Sequence, residues 1–291
     1  MSAAALPDID ALWDYNQPKL SESRFRSLLP DARFEELDYH LQLKTQLARA
    51  LGLQRKFDPA HAELDEVLAK LPPEPCIARI RYLLERGRVY NTSGEKARAL
   101  PQFEQAYKLA LRMKQDFYAV DAAHMLGIAT SSAQQLRWNL EAMRLAEASI
   151  DTRTHSWLGP LYNNIGWTYH EQGDFAQALA QFEKGLAWHT ARKTGEGEMI
   201  AEWSVARVLR SLGRTEEALS RQQALVQTRA ARKLPEDGYV FEEIGECLLA
   251  LGKPDEAAVP FKRAWELLAG DSWLQAKEAG RLKRLRTLGQ I

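Results

Sequence analysis

A chain of 291 residues is long enough for two ordinary domains or one elongated one. Its 39 Lys and Arg are matched by 39 Asp and Glu, so it lacks the basic excess of a protein that coats phosphate backbones, and no nucleic-acid partner is expected. Two cysteines, Cys76 and Cys247, stand far apart with no metal-ligand spacing, which excludes a disulfide framework or zinc site and fits a reducing compartment.

The opening residues, MSAAALPDIDALWDY, carry neither a basic leader nor a long apolar run, and no later stretch approaches about 18 consecutive apolar residues. A cytoplasmic protein without membrane insertion is expected. Ile9 to Trp13 reads as a shortened helix, and Ser21, Phe25 and Leu28 have the spacing of a longer one. Residues 1–37 are thus expected to form an N-terminal partial repeat or cap.

From residue 38 to 270 one unit recurs. Small anchors stand at Ala48, Gly87, Gly127, Gly166, Ala206 and Gly245, spaced by 39, 40, 39, 40 and 39 residues. Twelve residues beyond each anchor lie Ala60, Ala99, Asn139, Ala178, Ala218 and Ala257. Four further on are Leu64, Phe103, Met143, Phe182, Gln222 and Phe261. Each unit reads as two amphipathic helices: the first stops near a glycine such as Gly94, Gly173, Gly213 or Gly252, and a polar turn leads into the second. Alternating strand patterns are absent. A glycine inside a helix costs about 1 kcal/mol relative to alanine. Close approach of the two helices, with Gly166 facing a small residue such as Ala178, is expected to offset that cost.

Residues 271–291 are expected to be a C-terminal capping helix. Ser272 and Gln275 would form a capping box, and Leu282, Leu285 and Leu288 would cover the last repeat. The fold class is therefore all-α, and residues 1–291 are expected to form a single solenoid.

No catalytic, metal or cofactor signature emerges. The segment HEQGD at 170–174 shares only two letters with a zinc-protease motif, TGEGE at 194–198 follows no strand, and no nucleophile pairs with a base. The chain is not expected to be an enzyme.

The small anchor, the large residue four before it, and the Ala, Phe and Ala of the second helix resemble tetratricopeptide repeats. The copies around Gly87, Gly166 and Gly245 carry the pattern best, while Thr130, Asn139 and Gln222 depart from it. The period exceeds the usual one of about 34 residues, and the surplus must lengthen either the second helix or the following linker, such as TARKTGEGE at 190–198. Longer repeats of this kind resemble those of kinesin light chains. The resemblance implies a right-handed α-solenoid of stacked antiparallel helix pairs, whose concave surface binds a peptide segment of a partner.

A helix turns about 100° per residue, so with each anchor as position 8, positions 2, 5, 9, 12 and 13 point away from the second helix. These positions place Arg49, Arg88, Asn91, Asn163, Trp167, His170, Trp203, Arg207 and Arg210 in the expected groove, with Asn164 beside them. Trp and Arg are the commonest binding hot spots, and the asparagines suit a peptide backbone. Trp167 and Trp203 either line the groove or fill the space between adjacent units. The groove's C-terminal end, with Glu242 and Glu246, is expected to be acidic.

The partner so described is a protein or peptide with acidic residues, held by Arg88, Arg207 and Arg210, and an apolar anchor. Changing Arg88 and Arg207 to Glu is expected to abolish its capture without altering helicity or melting. The function expected is a non-enzymatic protein–protein interaction scaffold. The alternative is a regulator that responds to a signalling peptide or small molecule.

Overall fold

The computed structural model describes residues 6–35 and 37–291, with the side chains of all of these except 31–35, 132 and 133. Residues 1–5 of the expected cap lie outside the described residues. Among those described, every regular element is a helix. A single 3-10 turn, Asp10–Leu12, precedes α1 (Pro18–Glu35). Six helix pairs follow: α2 (Leu37–Leu53) with α3 (Phe57–Lys70), α4 (Ile77–Ser93) with α5 (Lys96–Arg112), and α6 (Asp116–Ala129) with α7 (Ser132–Ala148). Then come α8 (Leu158–Glu171) with α9 (Phe175–Arg192), α10 (Glu196–Ser211) with α11 (Thr215–Ala231), and α12 (Gly238–Ala250) with α13 (Pro254–Leu268). Two short helices, α14 (Ser272–Lys277) and α15 (Ala279–Leu288), end the chain. The pairs coincide with the six copies of the repeat. They are distributed over two compact units, one up to Leu158 and one from Gly159.

In the middle copies the second helices carry part of the long period, and linkers such as residues 149–157 carry the rest. These second helices, α5, α7, α9 and α11, have 17, 17, 18 and 17 residues, and only residues 193–195 separate α9 from α10. Four first helices stop where the sequence places a glycine: Gly94, Gly173, Gly213 and Gly252 have φ of +93°, +80°, +77° and +73°. That left-handed backbone turns the chain out of the helix at no steric cost when Cβ is missing.

Three of the four anchor glycines have a different reason from the one expected, whereas Gly127 meets Asn139, twelve residues on, as the register predicts. Gly166 does not make room for Ala178: a Cβ built there lies 2.5 Å from the Phe182 ring, and Phe182 is itself buried. Gly87 meets Phe103 and Gly245 meets Phe261 in the same way, so the glycine of the first helix seats the aromatic of the second. The two alanine anchors, Ala48 and Ala206, pair with the non-aromatic Leu64 and Gln222 at that position. Gly166→Ala therefore opposes overpacking, typically about 1–3 kcal/mol, to a helix-propensity gain of at most about 1 kcal/mol. A net loss of about 1 kcal/mol is expected in urea denaturation; an unchanged midpoint would mean that the ring moves aside freely.

Apolar stripes of successive helices form the cores, around Phe25, Leu47, Ile80 and Phe103 in the first unit and Phe182, Val205, Ile244 and Phe261 in the second. Ser21 and Phe25 of α1 are fully buried. Leu285 is buried, with Leu282 and Leu288 partly so, against the last repeat. The residue that starts α14 is Asp271, not Ser272: its carboxylate accepts from the backbone N–H groups of Trp273 and Leu274, the bonds an N-cap makes.

Candidate functional site

The ten residues expected to line one groove fall into two clusters, one in each unit. In the first unit Arg49, Arg88 and Asn91 lie on α2 and α4, each half-buried. Arg88 faces carboxylates of its own chain. Its guanidinium donates to Glu85 at 2.6 Å and to Asp121 of α6. Glu85 is 2% and Asp121 7% exposed at the side chain, so this ion group is sealed; burial opposes the charge on Arg88, but Asp121 and Glu85 together outweigh it and hold Arg88 well above the usual arginine range. Arg49 lies 3.6 Å from the same Glu85 carboxylate, and Asn91 Oδ1 is buried without a hydrogen-bond partner. Position 5, expected to be open, is closed here: Thr45 and Leu84 are buried.

The segment before α1 lies against this cluster. Asp10 accepts two bonds from Arg81 at 2.9 and 3.0 Å. Trp13 Nε1 donates to Gln46 at 3.0 Å. Of the receiving residues, Arg81 sits at position 2, one of the positions expected to face the groove, whereas Gln46 at position 6 lies outside that set.

The other seven expected residues lie on α8 and α10 of the second unit. Trp167 of α8 and Trp203 of α10 lie 5.8 Å apart, tilted by 39°, and both remain partly exposed. The rings pack between successive first helices and stay partly exposed. Trp167 Nε1 donates to Asn163 Oδ1 at 3.2 Å, which leaves the amide nitrogen of Asn163 as a donor to something else. Asn164 is half-buried beside it. Trp203 Nε1 donates to the carbonyl of Tyr239 at 3.2 Å.

Next to the indoles lies a charged cluster. His170 Nε2 is 2.9 Å from Ser211 Oγ, which also accepts from Arg207 at 2.7 Å. Arg210 grips Glu243 with bonds of 2.5 and 3.2 Å, and Arg207 approaches the same carboxylate at 3.4 Å. Two guanidiniums thus share one carboxylate. Burial, with Arg210 alongside, brings Arg207 below the ordinary arginine value. Burial outweighs both arginines and raises Glu243. Burial also lowers His170, helped by Arg207 and Arg210, so its imidazole is neutral at pH 7. The neighbouring Cys247 thiol is pushed up to about 12, mainly by burial.

The expected acidic end is neutralised. Arg281 of α15 holds Glu242 with bonds of 2.6 to 3.1 Å, and Arg284 holds Glu246. The sequence reading also missed a cavity of about 190 Å3 between α8, α9 and α10, opened by Gly159, Gly185 and Gly197 and edged by Asn163, His189 and Ile200. Three glycines on helices facing one another are the signal that marks it. Among the described residues no three His, Cys, Asp or Glu side chains come together to hold a metal ion, and no helix is long and apolar enough to cross a membrane.

Comparison with known proteins finds a family likeness in one helix pair and a fold likeness over most of the chain. A model described as a tetratricopeptide repeat matches residues 161–189, the pair α8 and α9. No curated protein matches the chain. Among solved structures, the apo form of RapI is similar with a TM-score of 0.72 at 10% identity, over 96% of this chain and 82% of that one. A signal transduction ATPase with a tetratricopeptide repeat sensor from Pyrococcus horikoshii gives a TM-score of 0.70 at 12% identity over 92% of this chain, which spans 41% of that protein. NprR in complex with its cognate peptide NprX gives 0.57 at 16% identity, over 96% of this chain and 82% of that one; the apo form of this quorum sensor is from B. thuringiensis. At such identities the likeness is one of fold, an α-solenoid of helix pairs.

Proposed function

We propose that this tetratricopeptide-repeat protein is a non-enzymatic interaction scaffold of the cytoplasm that holds an extended peptide segment of a partner against the first helices of its second unit. The observation that carries the reading is the juxtaposition on one face of the Trp167–Trp203 pair, the free amide of Asn163, and two arginines for one carboxylate at Glu243. The indoles supply flat, stiff apolar area for an anchor side chain at low entropic cost. Asn163 donates to a peptide carbonyl, and Arg207 takes an acidic side chain because Arg210 already satisfies Glu243. Binding of a peptide by NprR, which shares the fold, supports this reading. It equally supports the variant in which the bound peptide is a signal that changes the protein's shape. Small-angle scattering with and without the bound peptide separates the two.

The test uses an immobilised library of 12-residue peptides and the full chain carrying Asn163→Ala and Arg207→Met. Acidic peptides with an apolar anchor should bind the wild type, and the double variant should lose at least about tenfold in affinity, or about 1.4 kcal/mol. Its melting temperature should stay within about 4 °C of wild type, the shift expected of 1 kcal/mol or less. Equal capture by both proteins would overturn the assignment.

A further inference from the structure

Residues 7–15 of the first unit stand where every repeat has a complete first helix, yet only Asp10–Leu12 form a turn. Side chains therefore hold the segment more than backbone does. Tyr39 donates to the carbonyl of Pro7 at 2.8 Å. Asp10 makes its two bonds to Arg81 and Trp13 its bond to Gln46. Trp13 and Tyr15 stack with centroids 4.7 Å apart and planes within 3°, and the Arg49 guanidinium lies 5.4 and 5.1 Å from their ring centres. Ile9 is buried, while Tyr15 is 57% exposed.

The receiving surface specifies its occupant chemically. Arg81 is 6% exposed, and apart from Asp10 its polar partner is the Tyr118 hydroxyl at 3.0 Å. A buried guanidinium in that position requires a carboxylate. Three residues beyond that carboxylate, Gln46 and Arg49 select an indole by a hydrogen bond and a cation–π contact. A segment with one turn of helix gains little cooperative backbone stability, and elements of this kind open at the low end of the local free-energy scale. We propose that Arg81, Gln46 and Arg49 form a binding site for acidic, tryptophan-bearing peptide segments with the Asp-x-x-Trp spacing, and that residues 7–15 are its resident, displaceable occupant. This site belongs to the first unit and does not depend on the peptide surface of the second.

The experiment measures fluorescence anisotropy of a labelled synthetic peptide, LPDIDALWDYNQ (residues 6–17), with full-length protein. Asp10→Ala with Trp13→Ala in the protein should unseat the resident segment and give saturable binding. Wild type should bind at least about 100-fold more weakly, because a short tether keeps the resident segment at an effective concentration in the millimolar range. Adding Arg81→Met to the unseated variant should abolish binding, and a peptide carrying Asp10→Asn should lose at least about tenfold, as expected of a charge-assisted contact. Absence of binding to an unseated variant with wild-type helicity would overturn the proposal, as would equal binding by wild type or by the Arg81→Met variant. If the double change lowers helicity, Asp10→Asn alone is the second variant; binding about tenfold tighter than wild type supports the site, and binding no tighter overturns it.

Discussion

Arg88→Met is expected to cost the first unit about 3–5 kcal/mol at neutral pH, the usual penalty for removing one partner of a buried ion group. The methionine is close to isosteric along the stem, so the loss arises from what it leaves behind. Asp121 loses the guanidinium that bonds it, and Glu85 keeps only Gln46 at 3.4 Å and Arg49 at 3.6 Å, with its second oxygen already lacking a hydrogen-bond partner. Against a typical domain stability of about 5–15 kcal/mol, that removes between roughly a fifth and all of the unit's stability. Urea denaturation followed by circular dichroism measures this. The triple variant Arg88→Met, Glu85→Gln and Asp121→Asn should recover more than half of the loss, because it removes the charges together. A single variant within about 1 kcal/mol of wild type, the value of an exposed pair, would refute the sealed ion group. The same geometry replaces one sequence expectation. Arg88→Glu cannot leave melting unchanged, since it sets a third carboxylate beside two buried ones.

The helix pairs were legible because a period survives substitution: small anchors and their partners at fixed distances mark six units whatever the intervening residues do. The partner of Gly166 was also in the sequence, in the co-occurrence of glycine with Phe103, Phe182 and Phe261 and of alanine with Leu64 and Gln222. It was misassigned because register says which residues share a level, not which of them fills the gap. The site was harder to read for a related reason. A helical wheel gives directions around one helix, whereas adjacent helices stand about 8–10 Å apart, within reach of an arginine. Positions 9 and 12 therefore meet positions 2 to 6 of the next first helix, as Arg88 meets Asp121, Arg210 meets Glu243 and Trp167 meets Trp203. The charges that a single wheel presents to a partner are in large part consumed between repeats. What these pairings leave partly exposed, Asn163, the indole pair and Arg207, emerges only when adjacent repeats are paired.

The first unit should also lose stability in mild acid through His124, and the amount should be about 3 kcal/mol between pH 6.5 and 4. Burial holds this imidazole down to about 4; Asp121 pulls the other way and Arg88 adds to the depression. Its ring lies 5.0 Å from that of Trp157. In the unfolded chain a histidine titrates near 6.5. Above that pH both states are neutral at His124 and the group contributes no slope. Between about 6.5 and 4 the unfolded state binds a proton that the folded state refuses, so stability falls by about 1.4 kcal/mol per pH unit. Below about 4 the folded state binds it too, and the slope from this group ends. Burial shifts His61, His170 and His189 in the same direction, so the measurement must be a difference. Urea midpoints of wild type and His124→Asn at pH 7, 6, 5 and 4.2 should diverge steadily below pH 6.5, with wild type losing more. Parallel curves would mean that the imidazole charges freely in the fold. The position makes that outcome hard to sustain, because a charged His124 would compete with Arg88 for Asp121 and so loosen the ion group that ties α4 to α6.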